Sequence, residues 1–165
     1  MDRFFSKIDG LIGIKGDGNC QFRALSHGLH GSDEYYADVR KCVVEQLKKD
    51  WLTYKSFVSD PDTYVQRMQK DGAFGDNITL QAFSDAFKHG VIVINSVGTV
   101  TSIKPEGHAV EPEDYVCVFF LSEGSQSHYN AMKPYNAHPT QRLIEMLKNK
   151  NFLKIQMSQI LKLHF

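Results

Sequence analysis

The chain has 165 residues, with 19 Lys+Arg against 19 Asp+Glu, 42% hydrophobic and 23% charged. That length can bury the core of one ordinary domain, and the level charge, with no basic block, gives no electrostatic footing for nucleic acid or a membrane surface. No apolar run approaches the ~18 residues of a membrane span, residues 1–7 lack a signal-peptide core, and the three widely spaced cysteines, Cys20, Cys42 and Cys117, form neither a disulfide framework nor a CxxC metal pattern, so a reducing, cytoplasmic or nuclear setting is expected.

In chain order, the glycine-rich run Gly16-Asp17-Gly18-Asn19 gives way at Cys20 to a helical pattern over 20–29. Ser32 can cap the next helix, with Asp33 and Glu34 in its first turn. The stripe of that helix is Tyr36, Val39, Val43 and Leu47. Asp60-Pro61 reads as a cap followed by proline at the first helical position, and Gly72 as the close of that short helix. Asn77 is the expected cap of a further helix, with Leu80, Phe83 and Phe87 inward and Gly90 as its stop. Residues 91–94 are a β-branched run, as in a buried strand. A weaker strand is expected over 99–103, a loop over 104–113, a strong strand over 115–121, a polar loop over 122–127 and a short strand over 128–132. The tail over 140–163 reads as one or two helices broken near 149–151. Helices first and a small sheet later make one α+β domain.

Free cysteine is usually a small buried hydrophobe, and Cys42, beside the Val39/Val43 stripe, and Cys117, inside a strand, fit that description. Cys20 does not. It stands where a glycine turn meets a helix N-terminus, whose unpaired N–H groups and partial positive charge favour thiolate over thiol. The same N–H groups can hold an oxyanion. His27 and His30 ride the same helix too far along it to reach the sulfur. His89 sits beside the Gly90 stop, and His108, His138 and His164 lie in polar or terminal surroundings. His128 and Asn130 alternate on a strand and share a face. Asn130 can therefore accept one imidazole N–H and leave the other nitrogen for Cys20, with a satisfied structural histidine as the alternative. Gly16 and Gly18 lack the third glycine or the lysine of a phosphate cradle. Cys20, His27, His30 and Cys42 match no zinc scheme. A plain strand-to-helix turn stays open.

Asp17-Gly18-Asn19-Cys20 with Phe22 and Ala24 resembles the cysteine box of the ovarian tumour (OTU) family of cysteine proteases. His128-Tyr129-Asn130, after a hydrophobic strand, resembles its histidine box, and Gly75-Asp76-Asn77-Ile78-Thr79-Leu80 its middle motif; together they cover residues 16–132. The resemblance implies a single papain-like α+β domain over 1–165, a small mostly antiparallel sheet flanked by helices, with 139–165 as a C-terminal helical segment. It implies cleavage of isopeptide bonds after the Gly-Gly end of ubiquitin or a ubiquitin-like modifier. Cys20 is carried over as nucleophile, His128 as general base and Asn130 as its orienter. Asp17 is a second candidate, which can instead shape the loop, and the Gly18, Asn19 and Cys20 backbone is the expected oxyanion site. Gly75, Asp76, Asn77 and Ser127 are expected channel walls. Ubiquitin or polyubiquitin is the implied partner of a monomer needing no metal or cofactor. The brevity of the chain suits a viral or bacterial effector working in a host cytosol. A ubiquitin-binding module without catalysis, or a cysteine protease or transferase acting on other substrates, are the competing classes.

Overall fold

Helical spacing in the first half and β-branched runs in the second sort the chain into two layers. The computed structural model describes residues 11–96, 99–123 and 126–132; the tail expected over 140–163, with His138 and His164, lies outside them. The helices are α1 (Cys20–His30), α2 (Tyr36–Lys49), α3 (Trp51–Tyr54), α4 (Pro61–Met68) and α5 (Asn77–Phe87). The strands are β1 (Leu11–Ile12), β2 (Gly90–Asn95), β3 (Val100–Ile103), β4 (Tyr115–Glu123) and β5 (Gln126–Met132). They form one sheet in the order β1-β5-β4-β2-β3. Only the β2–β4 pair is parallel, so the architecture is the expected α+β with a mostly antiparallel sheet.

Strand alternation divides the sheet residues between two faces. Val91, Val116, Val118, Tyr129 and Ala131 join Phe22, Leu25, Val39, Val43, Leu47, Leu80 and Phe83 in the core beneath the helices. Ile92, Ile94, Cys117 and Phe119 point the other way and gather with Leu11. The α2 stripe is buried at Val39, Val43 and Leu47. Cys42 is exposed rather than buried, because a residue one step before Val43 is turned about 100° off the stripe. Cys117 is buried, and burial pushes its thiol up to about 12.

Several boundaries move from their expected places. Ser32 caps a single 3₁₀ turn, Asp33–Tyr35, before α2 begins. α4 ends at Met68, and Gly72, with φ +78°, lies in the turn beyond it. The cap of α5 is Asp76, not Asn77: its carboxylate accepts from the Ile78 and Thr79 N–H groups while the Thr79 hydroxyl accepts from the Asp76 N–H. The same helix ends at Lys88, in the left-handed region at φ +55°, and Gly90 already belongs to β2. A Cβ on Gly90 would run into the Tyr115 ring of the adjoining strand, so glycine is there for close packing. The polar loop over 122–127 is shorter than expected, since Ser122 pairs with Ser127 and Glu123 with Gln126.

Candidate active site

The loop before α1 is built to meet a second loop. Gly18 has φ +81°, a left-handed conformation, and a Cβ on it would collide with the Gly72 carbonyl oxygen. Asn19, the residue before the helix, makes no side-chain cap. Its buried Oδ1 instead accepts from the Gly72 N–H at 2.8 Å and the Arg40 Nη2 at 2.6 Å. The Asp17 carboxylate accepts from the Asn19 N–H at 3.0 Å and from Arg23, with Nη2 at 2.7 Å and Nε at 3.1 Å. The Arg23 hydrogen bonds, first of all, hold the Asp17 carboxyl well below the usual carboxylate range. The carboxylate is thus spent inside its own loop, and the Asn19 N–H with it.

Cys20 opens α1 and is 2% exposed. The thiolate-favouring effect of the helix N-terminus does not prevail in the resting chain: burial pushes the Cys20 thiol up, and the Asp17 charge adds to the rise. The backbone N–H groups of Tyr129, Gln21 and Cys20 itself pull the other way. α1 packs along β5, and the Tyr129 N–H that acts on the sulfur belongs to that strand, one residue beyond His128.

His128 stands on that strand for a topological reason. β1 pairs with β5 only through Leu11↔Met132 and Ile12↔Ala131, so β5 is free of a strand neighbour on that side from Asn130 back to His128. The loop leading to Cys20 passes along this open side. The Ile14 N–H donates to Asn130 Oδ1 at 3.1 Å, and a Cβ on Gly16 would sit 3.9 Å from His128 Nδ1 and Cε1. His128 Nε2 lies 3.2 Å from the same Asn130 Oδ1. Because Ile14 can only donate, the shared Asn130 atom must be the carbonyl oxygen, and Nε2 must carry the proton. The neutral ring then has its lone pair on Nδ1, on the side of the cysteine loop. Among the described residues no hydrogen bond joins the Cys20 sulfur to the His128 ring.

The middle motif meets the same site from beneath. Gln21 is fully buried; its Nε2 donates to the Asp76 carbonyl at 3.0 Å and its Oε1 accepts from the Thr79 hydroxyl at 2.6 Å. A Cβ on Gly75 would strike the Gln21 amide. Asp76 also accepts from the Tyr64 hydroxyl at 2.7 Å. Gly75 and Asp76 are therefore committed to internal packing, whereas Asn77, Ile78 and Tyr129 line one end of a cleft of about 840 Å³ that reaches Phe57 and Ile103. Ser127 is exposed beside His128 and opposite Ser122. Burial pushes the Tyr129 hydroxyl up to about 12, with the Gln21 side chain drawing it back. Phe74, partly exposed, holds its ring tilted at 35° with its centre 5.9 Å from that of Tyr129.

Sequence patterns do not announce Gln21, Arg23 or Arg40. The available signals are a polar residue at the buried start of α1 and an arginine at helical spacing between Tyr36 and Val43.

Residues 15–129 match the family described as OTU-like cysteine protease. The chain is 40% identical over 137 residues to the OVARIAN TUMOR DOMAIN-containing deubiquitinating enzyme 12 of Arabidopsis thaliana, covering 81% of this chain and 61% of that protein. It is 35% identical over 143 residues to enzyme 9 of the same plant, covering 84% of this chain and 41% of that one. It thus spans less than two thirds of the length of these relatives. Among solved structures, the fold is similar to the viral OTU domain protease from Taggert virus, with a TM-score of 0.64 at 20% identity over 85% of this chain and 88% of that one. It is also similar to an OTU domain solved in complex with ubiquitin, with a TM-score of 0.63 at 16% identity over 91% and 85%.

Proposed function

The chain belongs to the OTU family of cysteine proteases, and on that premise we propose that it is a deubiquitinating enzyme, cleaving the isopeptide bond after the C-terminal Gly-Gly of ubiquitin. The observation that supports this most directly is the meeting of Cys20, at the head of α1, with the strand that carries an oriented His128–Asn130 pair. The plant relatives named as deubiquitinating enzymes and the ubiquitin-bound OTU domain supply the substrate.

In the proposed reaction His128 Nδ1 takes the Cys20 proton, and Sγ adds to the carbonyl carbon of the last glycine. With the Asn19 N–H held by Asp17, the Gly18 and Cys20 N–H groups are the assigned oxyanion donors. The tetrahedral centre collapses with loss of the C–N bond, and the imidazolium returns its proton to the departing lysine amine. Water, deprotonated by His128, attacks the thioester. Sγ leaves and takes back the proton, and the ubiquitin carboxylic acid so formed gives its own proton to solvent. Asp17 shapes the loop and Asn130 holds the ring. The approach of the two glycines before the cut is assigned to a path between the exposed Asn77 and Ser127, with Gly75 and Asp76 packed behind it.

Ubiquitin carrying a C-terminal electrophile tests the proposal. A covalent adduct mapped to Cys20 by mass spectrometry, together with cleavage of at least one diubiquitin in a linkage panel, is expected. Binding without an adduct would make the chain a recognition module, and an adduct that persists in Cys20→Ala would remove Cys20 from its role.

A further inference from the structure

Arg40 is the most unusual group outside the site itself. It sits in the middle of α2, is 5% exposed, and among the described residues has no carboxylate at ion-pair distance. Burial works against this cation, the Asp71 and Asp17 charges favour it from beyond ion-pair distance, and a cation without a bonded carboxylate needs an offsetting arrangement of acceptors. Here the fork supplies one. Nη1 donates to the Met68 carbonyl at 3.1 Å, and Nη2 donates to the Ala73 carbonyl at 2.8 Å and to Asn19 Oδ1 at 2.6 Å. The guanidinium lies 4.0 Å over the Phe22 ring of α1. Nε alone has no partner.

These contacts join three segments that no secondary structure connects. The Met68 and Ala73 carbonyls bracket the turn after α4, Gly72 in that turn donates to the same Asn19 oxygen, and Asn19 immediately precedes Cys20. We propose that Arg40 is a positioning residue for the nucleophile: through Asn19 it fixes the loop backbone that directs the Gly18 and Cys20 N–H groups. A fork with several donors in one plane suits this task, and a lysine, with one nitrogen, cannot hold the three acceptors in the same geometry. Among the described residues no hydrogen bond joins Arg40 to the sulfur or the imidazole, so its hydrogen-bonded route to the site runs through the Asn19 loop.

The inference rests on the proposed hydrolysis, and the experiment separates the two. Wild type, Arg40→Met, Arg40→Lys, Asn19→Ala and the Arg40→Met/Asn19→Ala double variant are compared on a cleavable diubiquitin and, without ubiquitin, by amide hydrogen exchange over residues 16–21. Each single variant is expected to lose about 10–100-fold in kcat with little change in KM, since a displaced catalytic geometry costs that much without altering substrate contacts. Arg40→Lys is expected to resemble Arg40→Met, and the double variant to be no worse than the poorer single. Exchange over 16–21 is expected to quicken in every variant while that of β4 stays as in the wild type. If Arg40→Met does not fold, Arg40→Lys and Asn19→Ala decide. Wild-type kcat in a folded variant, restoration by lysine, an effect confined to KM, or unchanged exchange over 16–21 would overturn the proposal. Failure of the wild type to cleave any diubiquitin would instead overturn the hydrolysis, with the exchange data still reporting on the Arg40–Asn19 contact.

Discussion

One carbonyl oxygen, Asn130 Oδ1, receives both the Ile14 N–H and the His128 ring, and this double duty sets how substitutions at the site should rank. His128→Ala removes the proposed base itself and is expected to lower kcat/KM on diubiquitin by about 10²–10⁴. Asn130→Ala frees the ring to rotate but leaves it present, so it should lose less. Steady-state kinetics on the same substrate check the order, and an Asn130→Ala loss equal to that of His128→Ala would mean that orientation is worth the whole base. Gly18→Ala should fail for two reasons, a strained backbone of about 1–2 kcal/mol and a collision with the Gly72 carbonyl; urea unfolding and electrophile labelling should both report it. The placement of Cys20 at a helix head and of His128 and Asn130 together on one strand was legible because each is marked by its immediate neighbours: a glycine turn, a strand, a spacing of two. The sequence did not make Arg40 or Gln21 readable, because their partners, Asn19, Met68 and Ala73 in one case and Asp76 and Thr79 in the other, are brought to them only by the fold. The direction of the Cys20 shift was also out of reach, since it turns on burial winning over the helix N-terminus.

At the level of elements, local signals located the helices and strands well and their ends less so. Asn77 and Asp76 are both good caps by composition; the choice falls to Asp76 because Tyr64, on α4, donates to it. Gly90 reads as a helix stop until β4 places the Tyr115 ring against it. The two residues of β1 are too short to show any period, yet their pairing with Ala131 and Met132 fixes where β5 becomes open to the cysteine loop. Asp76→Ala is expected to lower stability by about 0.5–2 kcal/mol from the lost cap alone, and somewhat more because the Tyr64 hydroxyl loses its acceptor. Asp76→Asn, which still caps, should cost less. Urea midpoints of the two variants measure this, and equal losses would show that charge rather than capping matters at that position.

For the whole molecule, acid stability should depend visibly on the Asp17–Arg23 pair, which is mostly shielded from solvent. The folded-state carboxyl is depressed, so its contribution is fully present above the unfolded value of about 4 and is lost as the pH falls from there toward the folded one. Asp17→Asn should therefore cost about 1.5–3 kcal/mol near pH 7 and less near pH 3, where the loss has begun but is not complete, as read from urea unfolding at both. A penalty that does not shrink on acidification would contradict the pairing.

The first strand of the sheet lies beside the last, β1 against β5, and the sulfur and its imidazole come from opposite ends of the described chain. During synthesis, then, the thiol emerges from the ribosome long before the residues able to take its proton. On the proposed mechanism, a growing polypeptide carries a chemically silent cysteine until β5 docks, so the proposed chemistry requires an assembled sheet and is closed to a fragment that ends before it.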